Sequence, residues 1–170
     1  AGAVDFEPRR SRLSGNVSQA ESVSTQLSLD AAVRPDLFDW NGAIDEQALR
    51  AWLATRDLPL PNDLFRLLAS TGGGDLFESE TILGPYGNVE HGDDLVGGNE
   101  FLRLQGLPTN YVVFHRGLCV SVIERASGAY LSINDRDWSV RGRYQTLDAW
   151  YVSTLRREYA ARYGLTCAAG

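Results

Sequence analysis

Residues 60–77 read LPNDLFRLLASTGGGDLF, an apolar helix-like stretch followed by three consecutive glycines. Pro61 suits the first position of a helix, where its missing N–H is not needed. Four apolar side chains predict a broad buried helix face: Leu64, Phe65, Leu67 and Leu68. Glycine runs either cradle phosphate groups or end helices and let backbone segments approach closely. The position of the glycines therefore decides between a nucleotide site and a structural corner.

The glycines follow a helix and precede a strand-like stretch, which is the wrong order for a phosphate loop. Phosphate loops precede helices, because a helix N-terminus supplies free N–H groups and the positive end of the dipole. A Walker-type loop also requires a lysine, and this chain contains none. We therefore predict a left-handed helix cap at Gly72–Gly74, followed by close passage of the backbone into a sheet.

The spacing of apolar residues is helical before this corner, strand-like after it, and helical again near the C-terminus. Upstream, AIDEQALRAWLATRD carries an apolar stripe at helical spacing, with Asn41 or Asp45 as its cap. Downstream, TILG, YVVFH, CVSVIE and AYLSI are short strand-like runs. The connections between the last three are too short for crossover helices, so we predict antiparallel neighbours. TLDAWYVSTLRREYAARYG then returns to helical spacing and ends at Gly164.

This order predicts a single α+β domain with N-terminal helices, a central, mainly antiparallel sheet and a C-terminal helix. We assign the Ser-rich, polar residues 1–35 to an N-terminal arm, in which the alternating SVSTQLSLD favours a short edge strand. The domain takes residues 36–166, and residues 167–170 form a short tail.

The composition indicates a folded protein, since 44% of its 170 residues are apolar and 22% are charged. No run approaches the roughly 20 apolar residues of a membrane span, so we expect no membrane contact. Cys119 and Cys167 are the only cysteines, which excludes a disulfide framework and CxxC motifs. We expect a reducing, cytoplasmic setting.

Acidic residues concentrate in one segment of this chain, whose net charge is −6. Residues 61–100 carry eight acids and one arginine, a net charge of −7. An acidic chain has little reason to bind nucleic acid directly, whereas an acidic segment attracts a basic partner. We expect the partner-binding carboxylates on one exposed surface: Asp75, Glu78, Glu80, Glu90, Asp93, Asp94 and Glu100. Trp138, beside arginines, is a candidate interface anchor. The alternatives are an ordinary solvated face and a tryptophan that covers the sheet edge.

Two groups of residues suit metal binding or catalysis. The stretch EHGDDL places four ligand-type residues within five positions, from Glu90 to Asp94. No further ligand marks a closed shell, so we predict a polar loop flanked by glycines, and no metal or cofactor. His115 ends YVVFH and suits a general base paired with a carboxylate or with Cys119. Cys119 lies in an apolar run, which favours a buried, unreactive thiol.

A helix opened by LPxD and closed by a Gly-Gly pair, then a meander of strands and a terminal helix, resembles the SUKH superfamily. This family includes the yeast Smi and Knr cell-wall regulators and many bacterial proteins. The residues that carry the resemblance are Leu60, Pro61, Asp63, Leu67, Leu68, Gly73 and Gly74. Weaker matches are YVVFHRG, the turn at Gly128–Tyr130 and TLDAWYVSTL. The chain departs from the family at Leu147 and Trp150, which replace its usual aromatic–acid pattern.

The resemblance implies a protein-binding module without catalytic activity. Bacterial SUKH proteins are held to be immunity proteins that neutralise toxins of polymorphic toxin systems, often nucleases. We therefore expect an immunity protein whose partner is a cognate toxin with a basic surface. The alternatives are a regulatory scaffold of the Smi/Knr type and a small hydrolase using His115 or His91 with a nearby carboxylate.

Overall fold

The computed structural model describes residues 25–87 and 92–165. Its helices are α1 (Gln26–Val33), α2 (Glu46–Thr55), α3 (Asn62–Thr71), α4 (Leu95–Leu104), α5 (Leu147–Tyr151) and α6 (Arg157–Tyr163). Its strands are β1 (Phe38–Trp40), β2 (Gly74–Leu76), β3 (Glu80–Ile82), β4 (Tyr111–Arg116), β5 (Val120–Glu124), β6 (Tyr130–Ile133) and β7 (Val140–Tyr144). This is the single α+β domain that the sequence predicts. None of these helices is both long and apolar enough to cross a membrane.

The described strands form one antiparallel sheet in chain order, from β1 at one edge to β7 at the other. The predicted strand runs correspond to β3, β4, β5 and β6, and the antiparallel pairing predicted for the last three is confirmed. Helix α4 packs on β4, and α5 packs on β6 and β7. The sequence analysis missed β7, because VRGRY has little apolar character and remains largely exposed at the sheet edge.

The glycine run forms the corner between α3 and β2, as predicted. Gly72 ends α3 with a left-handed φ of 74°. A Cβ on Gly73 would stand 2.6 Å from the carbonyl oxygen of Ile82, and one on Gly74 would collide with the carbonyl oxygen of Asp39. The glycines therefore let β1 and β3 pack directly against the chain as it leaves α3.

Helix α4 replaces part of the polar loop that the sequence predicts. Asp94 caps this helix by accepting a hydrogen bond from the Gly97 N–H at 3.2 Å. A Cβ on Gly98 would stand only 2.8 Å from Leu83 Cδ1, so this glycine permits close packing of the helix. The described part of the predicted loop ends at Asp94, and α4 was not predicted because close packing and a turn both select glycine.

Residues 26–33 form helix α1, although their alternating pattern favours a strand. The buried Asp30 carboxylate accepts hydrogen bonds from the Tyr151 hydroxyl at 2.7 Å and from Arg156 Nε at 2.9 Å. These contacts across the fold outweigh the local pattern. The last part of the predicted arm, residues 25–35, is therefore packed into the domain, and the rest of the arm lies outside the described residues.

The predicted C-terminal helix is confirmed, with a π-helical turn at Val152–Arg156 that joins α5 to α6. The carboxylate of Asp63, from the LPND stretch, fastens its beginning. Asp63 accepts hydrogen bonds from the Leu147 N–H at 2.7 Å and from the Tyr130 hydroxyl. Gly164 ends the helix in the left-handed conformation, with φ at 67°.

We expect Gly74→Ala to lower the free energy of unfolding by more than about 2 kcal/mol, because the new Cβ must displace the β1 backbone. Gly128→Ala is the matched control, since its φ is also positive, at 71°, but no atom lies within 4 Å of the new Cβ. The control should lose only about 1 kcal/mol to backbone strain. Urea denaturation measures both losses, and equal values would contradict the close-packed corner.

Candidate functional site

Glu80 on β3 is fully buried together with His115 on β4. Its Oε2 lies 2.8 Å from His115 Nε2, and its Oε1 accepts the Tyr159 hydroxyl at 2.7 Å. The Leu118 N–H donates to both carboxylate oxygens at 3.0 Å. A buried carboxylate with these donors serves the fold. Glu80 therefore does not belong to the exposed partner-binding surface, which corrects the prediction.

A β-bulge directs His115 into this network. The register of β4 and β5 shifts between Val113 and His115. Asn99 of α4 pairs with the Val113 backbone there: its Nδ2 donates to the carbonyl at 3.0 Å, and its Oδ1 accepts the N–H at 2.8 Å. On the other side of the imidazole, His115 Nδ1 lies 2.9 Å from Ser121 Oγ, to which Trp150 Nε1 also donates at 2.9 Å. The bulge and Asn99 together fix the orientation of the imidazole.

Both members of the Glu80–His115 pair favour their charged forms. Burial raises the pKa of the Glu80 carboxyl, but hydrogen bonds from His115 and Tyr159 outweigh burial, so this pKa is lowered. Burial lowers the pKa of His115, but contacts with Cys119 and Glu80 outweigh burial, so this pKa is raised. Both shifts are in the direction that favours an ion pair between these two buried groups.

The other predicted partner-binding residues do not share one surface. Asp94 is buried as the cap of α4, so it also serves the fold. Glu90 and His91 lie outside the described residues. Trp138 is half-buried against the core, with its indole close to Gly106. The exposed or half-buried carboxylates are Asp75, Glu78, Asp93 and Glu100.

One of these carboxylates, Asp93, lines a groove between α4 and strands β3 and β4, which we call the acidic groove. It has a volume of about 520 Å³, and its lining includes Ser79, Thr81, Asp93, Phe101, Arg116 and Asp135. Asp75 lies at its rim, where it accepts the Thr81 hydroxyl at 2.8 Å, and Glu78 directly precedes Ser79.

The carboxylates of the acidic groove are unpaired. Among the described residues, Asp75, Glu78, Asp93 and Asp135 form no ion pair. Glu100 is separate from them, because it lines a different cavity beside arginines on the other side of α4. The predicted acidic cluster therefore divides into groove residues, buried residues and one residue elsewhere.

Large apolar side chains are exposed on α4 and in the β4–β5 turn, and one of them, Phe101, lines the acidic groove. Phe101 and Leu104 on α4 are 46% and 90% exposed, and Leu118 in the β4–β5 turn is 58% exposed. The Arg116 guanidinium lies 5.1 Å from the centre of the Phe101 ring. Exposed apolar side chains next to polar groups are typical of protein-binding surfaces. The sequence analysis missed these residues, since the three-residue spacing of Phe101 and Leu104 has meaning only once α4 is recognised.

Comparisons with family models, with curated proteins and with solved structures each found no match. In the parts of the chain that the structure describes, no three His, Cys, Asp or Glu side chains are placed to hold a metal ion.

The buried pair predicts how stability depends on pH. The lowered pKa of Glu80 contributes stability that is fully present above its ordinary value of 4.5 and is lost as pH falls through the lowered value. The raised pKa of His115 contributes stability that is fully present below 6.5 and is lost as pH rises through the raised value. We expect the contribution of the pair to be largest between pH 4.5 and 6.5.

Urea unfolding from about pH 3 to about pH 10 measures this dependence. His115→Gln should lose the decrease at alkaline pH, because the amide does not titrate. Asp57→Asn, which removes the exposed pair with Arg125, is the control and should retain that decrease. An unchanged alkaline decrease in His115→Gln would show that the imidazole is not the group responsible.

Proposed function

We propose that this protein is a non-enzymatic binding module that presents the acidic groove to a partner protein with basic and apolar side chains. The observation that carries the proposal is the exposure of Phe101, which lines the groove together with Asp93 and Asp135. Leu104 and Leu118 are exposed next to the lining residues Gln105 and Gly117 in the chain. A leucine that is 90% exposed gains almost nothing from folding of the free chain. Its burial against a partner would contribute about 1.5–3 kcal/mol.

The carboxylates of the groove would attract the basic side chains of the partner. Asp93 and Asp135 line the groove with Arg116 as a neighbouring cation, so negative charge predominates there. The Arg116 guanidinium is placed over the Phe101 ring. Unpaired carboxylates steer a basic partner toward the groove and raise the rate of association, while the apolar side chains slow dissociation.

Within this class we propose an immunity protein that neutralises a cognate bacterial toxin, such as a nuclease. The support is the resemblance of the LPND and Gly-Gly elements to the SUKH superfamily, together with the acidity of the groove. A nuclease carries a basic surface for its substrate, and an acidic groove is complementary to such a surface. Covering that surface would stop the toxin without any chemistry by the immunity protein.

Two alternatives receive less support. A regulatory scaffold of the Smi/Knr type would use the same groove, and gene position separates the two, since an immunity gene lies directly beside its toxin gene. A hydrolase that uses His115 needs an accessible imidazole, but this one is fully buried, with its nitrogens directed at Glu80 and Ser121. The product of a neighbouring toxin gene is therefore the partner to use in experiments.

We expect the double reversal Asp93→Lys and Asp135→Lys to slow association with this partner at least about tenfold and to weaken its salt dependence. The matched control is Glu46→Lys with Glu158→Lys, which changes the net charge equally on two exposed positions outside the groove lining. Stopped-flow kinetics and protection of toxin-expressing cells are the measurements. Equal slowing of association by the two variants would show that the net charge of the protein, and not the position of the groove carboxylates, determines the association rate.

We expect Leu104→Ser to leave the free energy of unfolding within about 0.5 kcal/mol of the wild type, because the side chain is already exposed. The same change should raise the dissociation rate about tenfold through loss of an apolar contact with the partner. Val33→Ser on α1 is the control, since Val33 is 71% exposed and lies outside the groove lining. Wild-type dissociation of the Leu104 variant would exclude α4 from the interface.

A further inference from the structure

Cys119 lies in the turn from β4 to β5, where its thiol is partly exposed. It lines a cavity of about 290 Å³ together with Asn134, Asp135, Arg136 and Arg141. On the inner side, its sulfur lies 3.7 Å from Ser121 Oγ. Cys119 is therefore not the buried thiol that the sequence favours, because it stands between the buried polar network and an open cavity.

Ser121 connects this thiol to the Glu80–His115 pair. When His115 carries both protons, it donates Nε2–H to Glu80 and Nδ1–H to Ser121, which also accepts the Trp150 N–H. The single proton of Ser121 is then directed to the Cys119 sulfur. When His115 is neutral, Ser121 donates to Nδ1 and the thiol donates to Ser121. One proton then moves from the thiol to Ser121 and another from Ser121 to Nδ1 of His115. These two shifts convert the thiol and the imidazole into a thiolate and an imidazolium.

Ser132 is a buried hydroxyl that also favours negative charge on the sulfur. It is the register partner of Ser121 on β6 and is only 5% exposed. Its hydroxyl has no hydrogen-bond partner among the described residues, and an unpaired buried hydroxyl is costly. The Ser132 hydroxyl interacts with Cys119 and lowers the pKa of the thiol. A thiolate at Cys119 is the acceptor that this hydroxyl lacks.

The groups on both sides of the thiol favour the thiolate. Burial raises the pKa of Cys119, but the interactions with His115, Ser121 and Ser132 outweigh burial, so this pKa is lowered. Glu80 acts indirectly by holding the imidazolium, and the Tyr159 hydroxyl in turn holds Glu80. On the cavity side stand two guanidinium groups and the carboxylate of Asp135. Cations beside a cysteine are typical of reactive thiols.

The cavity suits a small anionic ligand. Arg136 and Arg141 form no ion pair in the described part of the chain. The nearby Asp137 carboxylate accepts hydrogen bonds from the N–H and hydroxyl of Ser139 at 3.0 and 2.6 Å. The lining contains two guanidinium groups and one carboxylate, Asp135, and Arg141 also interacts electrostatically with Asp137 outside the lining. A ligand with carboxylates would pair with these guanidinium groups next to the sulfur.

We propose that Cys119 is a modification site whose thiolate reacts with a small, carboxylate-bearing disulfide. The Cys119 sulfur forms a new S–S bond as the S–S bond of the reagent breaks, and the departing thiolate takes the electron pair. The disulfide is itself the oxidant, so the exchange needs no other redox partner. Arg136 and Arg141 hold the carboxylates of the reagent and of the mixed disulfide. The proposal does not rest on the proposed function, although Asp135 lines both this cavity and the acidic groove.

The test uses Cys167, the other cysteine of the full chain, as an internal reference. Cys167→Ser leaves Cys119 as the only thiol, and Cys119→Ser leaves Cys167. Each variant is treated with dithiobis(nitrobenzoate), which carries a carboxylate on each ring, and with dithiodipyridine, which carries none. Both reagents release a coloured product, and the protein mass confirms one adduct per chain.

At about pH 6.5 we expect Cys119 to react with the anionic disulfide at least about tenfold faster than Cys167, because an ordinary thiol is mostly protonated there. The midpoint of its rate–pH profile should lie below that of Cys167. Combining Arg136→Gln with Arg141→Gln should slow the anionic reagent at least about fivefold and the neutral reagent less than about twofold. Equal midpoints for the two cysteines, or equal slowing of both reagents, would overturn the proposal.

His115 and Ser132 are positioning residues in this proposal, and their readout is the midpoint of the Cys119 rate–pH profile. Ser132→Ala should raise the midpoint without lowering the stability, because its hydroxyl has no other partner in the described structure. His115→Gln should raise the midpoint further. If the His115→Gln protein fails to fold, the midpoint of Ser132→Ala alone tests whether the buried hydroxyl and imidazole stabilise the thiolate. An unchanged midpoint in Ser132→Ala would refute the assignment of this hydroxyl to the thiolate.

Discussion

A carboxylate can be buried only where hydrogen-bond donors replace the water that it loses, and this constraint governs how the C-terminal helix is held. Glu80 on β3 binds a hydroxyl of α6, and Asp30 on α1 binds side chains of α5 and of the π-helical turn. Asp63 on α3 binds the first N–H of α5. Three acids from distant parts of the chain thus fasten one helix. Removing the partner of a buried charge such as Glu80 or Asp30 costs about 3–5 kcal/mol.

This constraint separates the acids that stabilise the fold from those that remain available to a partner. Glu80 is buried with donors to both oxygens, and buried Asp94 accepts one N–H as the cap of α4. Asp93 and Asp135 line the acidic groove and form no ion pair within residues 25–87 and 92–165. A carboxylate that is already satisfied within the fold contributes little to recognition, because its field is compensated locally. The chemistry proposed for Cys119 rests on the buried set, since Glu80 holds the imidazolium that stabilises the thiolate.

The candidate site could be predicted from sequence only in part. Charge density along the chain identified Asp75, Glu78 and Asp93, because an excess of carboxylates over cations is a property of composition. The same density gave no means of separating Glu80 from them, since its burial depends on a histidine 35 residues away in the chain. The exposed apolar residues Phe101 and Leu104 could not be predicted, because they become neighbours only within α4. The glycines at the start of this helix are typical of a loop in the sequence.

The sequence by itself determined α3, the glycine corner, strands β3–β6 and the C-terminal helix. In these elements local periodicity and the backbone freedom of glycine act in the same direction as the final packing. Only the tertiary structure decided that residues 26–33 are a helix and that residues 95–104 pack against the sheet. It also decided that Ser121 contacts both His115 and Cys119 through hydrogen bonds. In those places, hydrogen bonds and close contacts between distant residues outweigh the local preference of the chain, and no local pattern encodes them.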